Sequence, residues 1–148
     1  MFNHNSNQEI LDEKIISELA EFYSLVKDIS SRGVTLGGWY TIKVNFGRQF
    51  GHTHWIERNF LLNPSSMYIC QSTRDVGNCY KEMKNPIYKP RILLYNRISE
   101  RLRGIRIDAP SVIYVDGSVQ HDNIVEIMHT LQHSIKTISK PIPVIILG

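Results

Sequence analysis

Val44-Asn45-Phe46-Gly47-Arg48-Gln49-Phe50-Gly51-His52-Thr53-His54-Trp55 is the stretch that decides how this chain folds. It closes a run of strand composition, Tyr40 to Phe46, and opens a run with helical periodicity, His54 to Leu62. Glycines at such a junction let the backbone turn tightly, and the helix that follows offers the positive end of its dipole to whatever sits in the turn. A strand, a glycine-bearing turn and a helix are the opening of a βαβ unit, and the rest of the chain is read outward from that unit.

Downstream, short apolar runs at Met67 to Gln71, Ile92 to Tyr95, Ser111 to Val115 and Val144 to Leu147 read as further strands. They are apolar on both faces, which suits central strands of a parallel sheet covered by helices. Helices are expected at Asp75 to Met83 and at Asp122 to Lys136, where Ile124, Ile127, Met128, Leu131 and Ile135 form a stripe. Upstream, Leu11, Ile15, Leu19, Phe22, Val26 and Ile29 recur at three- and four-residue steps and predict one long helix. Ser6 with Glu9 reads as its capping box and Gly33 as its stop. Pro86, Pro90, Pro110, Pro141 and Pro143 are expected in or beside connections. The fold class is therefore α/β, three-layered, with a mostly parallel sheet of about five strands. Residues 1–33 form an amino-terminal helix packing on the core, and residues 34–148 form the domain itself.

The turn carries a chemical expectation as well. Gly51-His52-Thr53 follows the end of the phosphate-binding pattern G-x-x-x-x-G-K-[ST], with His52 where lysine is expected. Three residues separate Gly47 from Gly51, one fewer than in that general pattern. In such loops the backbone amides surround the phosphates and the hydroxyl at the position of Thr53 reaches a magnesium ion. The lysine lays a fixed charge against the β- and γ-phosphates. An imidazole is shorter and, with an ordinary pKa of about 6.5, only partly charged near neutrality.

Read in order, the chain resembles the ATPase core of large terminase subunits, the viral DNA-packaging motors, and more loosely helicase-type P-loop proteins. Gly47-Arg48-Gln49-Phe50-Gly51-His52-Thr53 resembles the terminase form of the loop, in which an arginine follows the first small residue. Tyr68 to Thr73 takes the place of the next strand and its loop, and Arg101 to Asp108 leads into Ser111 to Asp116 as a similar segment leads into the family's acidic strand. Pro143 to Gly148 stands where the family has its coupling motif. The likeness spans Thr41 to Gly148. It implies nucleotide binding by Gly47, Arg48, Gln49, Phe50, Gly51, His52, Thr53 and His54, with ATP or ADP as ligand and Mg2+ held by Thr53 and Asp116. Where the family carries a glutamate that activates water, this chain has Gly117. The departures at His52 and Gly117 imply a weakly hydrolytic or non-hydrolytic relative with a regulatory role, whose partners are nucleic acid or a protein of a nucleic-acid machine.

Composition narrows the remaining classes. With 148 residues, 42% hydrophobic, the chain suits a single domain with a real core. It has no apolar run of membrane-spanning length and no apolar leader after Met1, so the cytoplasm, that of the host if the chain is phage-encoded, is the expected compartment. Cys70 and Cys79 form no CxxC pair and suggest neither zinc nor a disulfide framework. The net charge of +3 is small, but Lys81, Lys84, Lys89, Arg91, Arg97, Arg101, Arg103 and Arg106 crowd one segment. That segment supports an alternative function, an interaction module without nucleotide that binds nucleic acid or a protein partner. Smaller expectations are an adenine-stacking surface or core packing for Trp39 and Tyr40, and surface histidines at His129 and His133, which lack a third ligand.

Overall fold

A computed structural model describes residues 4–31, 39–47, 50–70, 91–95, 98, 102, 107–117, 119, 121–135 and 141–148. In chain order these form helix α1 (His4–Ser31), strand β1 (Trp39–Val44), helix α2 (His52–Leu62), strands β2 (Ser66–Cys70), β3 (Ile92–Leu94) and β4 (Val112–Asp116), helix α3 (His121–Ser134) and strand β5 (Ile142–Leu147). The five strands make one all-parallel sheet in the order β1-β5-β4-β2-β3. This is the three-layer α/β architecture expected from the both-face apolar strands.

The handedness of parallel crossovers explains the layers. The connection from β1 to β2 crosses the sheet in one direction, and that from β4 to β5 returns in the other. Right-handed crossovers in opposite directions put their helices on opposite faces. Accordingly, α2 packs with α1 over Ile42, Val44, Tyr68, Val112, Tyr114, Ile145 and Leu147, whereas α3 covers Met67, Ile69, Ile113, Val115, Val144 and Ile146. Side chains alternate between faces along each strand. Asp116 shares its parity with Val112 and Tyr114 and so belongs to the α2 side.

The stripe on α1 is buried at Leu11, Ile15 and Phe22, with Leu19 partly covered. Two further ties join α1 to α2: Trp55 Nε1 and Arg58 Nη2 both donate to Asp12 Oδ1, at 2.7 and 2.9 Å. The capping-box expectation is corrected. The helix begins at His4, so Ser6 and Glu9 lie inside it and neither starts it. Pro143 is also not in a connection: it is the second residue of β5, opposite Tyr40. Its missing N–H is tolerated there because pairing with β4 begins one residue later, at Val144. Gly33 and the helix expected at Asp75 to Met83 lie outside the described residues.

Candidate functional site

The register lines up the carboxyl ends of three strands. Val44 of β1 pairs with Leu147 of β5, and Leu147 with Asp116 of β4. The strand that feeds the turn and the strand that ends in a carboxylate are thus separated by β5, and α2 begins above the gap. Open α/β sheets collect ligands at such a place, outside the carboxyl ends of strands where the chain order reverses. A cleft of about 530 Å³ lies there, lined by Asn45, Gly47, Gly51, His52, Thr53, His54, Asp116, Leu147 and Gly148. Its volume falls in the usual range for small-molecule sites.

The turn itself is built on two left-handed glycines. Gly47 has φ 97° and Gly51 φ 91°, conformations that cost an L side chain strain and glycine almost nothing. Gly51 is the N-cap of α2, and among the described residues no side chain caps that helix start. Its first turn therefore presents backbone donors and the positive end of the dipole to the cleft. Opposite them stands Asp116, 8% exposed, and Thr53 Oγ1 donates to its Oδ2 at 3.2 Å. A hydroxyl and a carboxylate from separate elements meet at the mouth of a helix. No family model, curated protein or solved structure matches this chain.

The first half of the turn differs from a loop whose amides all converge on an anion. The Gly47 N–H is taken by Asn45 Oδ1 at 2.8 Å, and the Phe46 N–H by His52 Nε2 at 3.2 Å. Among the described residues, the donors left for an anion are consequently those at the start of α2. His52 is 8% exposed and, accepting at Nε2, is a neutral imidazole with its proton on Nδ1. Burial lowers its pKa from the ordinary value, and the Asp116 carboxylate pulls in the opposite direction without overcoming it. The ring braces the turn from within, a task lysine could not perform because an ammonium only donates.

This lowered pKa carries a testable pH dependence. Below about pH 6.5 the unfolded chain protonates this histidine while the folded chain resists, so the unfolded state binds more protons and stability is lost as the pH is lowered. His52→Gln keeps an acceptor for the Phe46 N–H but cannot titrate. Thermal unfolding followed from about pH 7.5 to 5 should show a shallower acid limb in the variant than in the wild type. Equal slopes would assign the acid sensitivity to other groups.

Of the residues expected at the site, Gly47, Gly51, His52, Thr53, His54 and Asp116 are brought together. Phe50 is not among the lining residues. It stacks between Phe46 and His52, at centroid distances of 4.9 and 5.7 Å. Arg48 and Gln49 lie outside the described residues. Gly117 follows Asp116 and donates its N–H to Leu147 O at 2.7 Å, which seals the floor of the cleft. Trp39 and Tyr40 sit at the far end of β1; Tyr40 packs on Phe22 of α1 with ring centroids 4.8 Å apart and Trp39 packs on the α3 side, so both are partly buried against the core and neither lines the cleft. His129 and His133 are exposed neighbours with ring centroids 4.8 Å apart, and no group of three metal-ligating side chains forms among the described residues. No described helix is long and apolar enough to cross a membrane.

Sequence reasoning missed Asn45, Leu147, Gly148 and Gln8. Gln8, on α1, donates its Nε2–H to Gly51 O at 3.0 Å. A signal for it existed: extended by one step, the stripe Leu11, Ile15 and Leu19 reaches back to position 8, where a buried residue is due and glutamine stands. Asn45, directly before Phe46-Gly47, is a residue type that forms such side-chain turns.

Proposed function

We propose that this chain is a degenerate P-loop-type nucleotide-binding protein, related in plan to the ATPase core of large terminase subunits. In this reading it holds ATP or ADP with Mg2+ weakly, hydrolyses it slowly or not at all, and serves a nucleic-acid machine as a regulator. The observation that carries the reading is the Thr53–Asp116 contact at the uncapped, glycine-turned start of α2. Magnesium keeps most of its waters and takes only one or two protein oxygens beside substrate phosphates, so a hydroxyl next to a carboxylate is a fitting donor set. The helix start would hold the phosphates, Thr53 and Asp116 the ion.

Slow turnover follows from what the site lacks. No side chain at position 117 activates water, and a positioned general base contributes about 10²- to 10⁴-fold to rate. His52, neutral and engaged with the Phe46 N–H, supplies no fixed cation for the transferred charge. Loss of one preorganised electrostatic donor costs about 10²- to 10³-fold more.

Titration calorimetry and thermal unfolding with ATP or ADP and Mg2+ test the proposal. At a nucleotide concentration a hundredfold above Kd, a native-state ligand stabilises by about 2.7 kcal/mol. For a domain of this size that raises Tm by roughly 5–10 °C. Asp116→Ala is expected to reduce affinity in Mg2+ about tenfold, to the value the wild type shows in a chelator. Absence of any shift at millimolar nucleotide removes the proposal; a shift whose Mg2+ dependence survives in the variant removes the metal assignment alone.

A further inference from the structure

The buried amide of Gln8 is poorly explained by stability. It is 5% exposed and lies on the face of α1 that Leu11 and Ile15 continue. Its Nε2–H donates to Gly51 O, but its Oε1 is fully buried and has no hydrogen-bond partner among the described residues. The amide orientation is set by the acceptor, because turning it over would point Oε1 at another oxygen. An acceptor left unmade in the interior costs more than one neutral hydrogen bond returns, so methionine or leucine would hold this position at least as well.

Position explains what stability does not. Gly51 O receives two donors, Gln8 Nε2 at 3.0 Å and the Trp55 N–H at 3.0 Å. A carbonyl held from two sides has a fixed direction. The peptide unit is planar and trans, so fixing Gly51 C=O also fixes the His52 N–H on the opposite edge of the same unit. That N–H is among the first-turn donors of α2, at the point where the proposed site receives phosphate.

Resting on the nucleotide reading above, we propose that Gln8 is a positioning residue of the phosphate site, acting from α1 through the Gly51 carbonyl to aim the His52 amide. The helix that lies outside the βαβ unit thereby becomes part of its binding apparatus.

Gln8→Met removes both the anchor and the unpartnered oxygen while keeping length and shape, and Gln8→Leu serves as a second variant. The ligand-free melting temperature is expected to be unchanged or higher. Affinity for inorganic triphosphate and for ATP, each with Mg2+, is expected to fall about tenfold and by the same factor, since the effect passes through the turn and not through the base. The His52 amide resonance in the ligand-free protein should shift and lose exchange protection. If the wild type binds neither triphosphate nor ATP, the nucleotide reading and this assignment fall together. If the wild type binds and both variants bind equally well, only the assignment falls. A drop in affinity accompanied by a lower ligand-free melting temperature would make Gln8 an ordinary packing residue and overturn it as well.

Discussion

Gly117→Glu, which adds a carboxylate where the proposed reading would need a water-activating group, is expected to lower stability by about 3 kcal/mol and to leave phosphate release at background. The reason is steric. A Cβ at position 117 would lie 2.0 Å from Gly148 O and 2.4 Å from its carbonyl carbon. Backbone cannot move aside as a flexible side chain does. Here it is also tied down, by Gly117 N–H to Leu147 O and by Gly148 N–H to Val44 O. Relief would break the bonds that join the ends of β4, β5 and β1 beneath the cleft. Gly117→Ala separates the two effects: it brings the Cβ without the carboxylate and should cost nearly as much in chemical denaturation. A Gly117→Glu protein with wild-type stability and measurable ATP turnover would show instead that the position tolerates a side chain and can serve catalysis.

That pair of variants changes the meaning of the residue. From its resemblance, Gly117 reads as an empty catalytic position; in the fold it is a position where any Cβ would run into the backbone of Gly148. No local pattern could reveal this, because the approaching residue is 31 positions away in sequence, in the segment that follows β5. Asp116 was legible for the contrary reason. Four apolar residues precede it, and alternation along a strand assigns it a face before any neighbour is known.

The same division runs through the rest of the molecule. Strands β2, β4 and β5 are buried along their whole length, and such continuous apolar runs stand out in sequence. The turn was legible from its glycines. The fate of its amides was not, since the hydrogen bonds from Phe46 to His52 and from Gly47 to Asn45 depend on rotamers that only the closed loop selects. The start of α1 was misread because Ser6 and Glu9 fit a capping box, whereas the helix already runs from His4.

Arg91→Ala is expected to destabilise the protein by about 2–4 kcal/mol, with little dependence on salt. In sequence Arg91 belongs to the basic segment that supports the interaction-module alternative. In the fold its guanidinium closes the far end of α2: Nη2 donates to Phe60 O at 3.0 Å and to Asn63 O at 2.8 Å, and Nε to Ser66 O at 3.3 Å. The group also lies 4.2 Å from the centroid of the Phe60 ring. A cation at a helix carboxyl end meets the negative pole of the dipole, and the planar fork serves several carbonyls at once. Lysine reaches one of them, so Arg91→Lys should recover less than half of the loss. Because α2 begins at the proposed phosphate site, Arg91 holds one end of the helix whose other end would meet the ligand. Chemical denaturation at low and high salt checks the claim. A loss that disappeared in salt, or a variant of full stability with weakened binding to nucleic acid, would return Arg91 to the role of a surface charge and favour the interaction module over the nucleotide site.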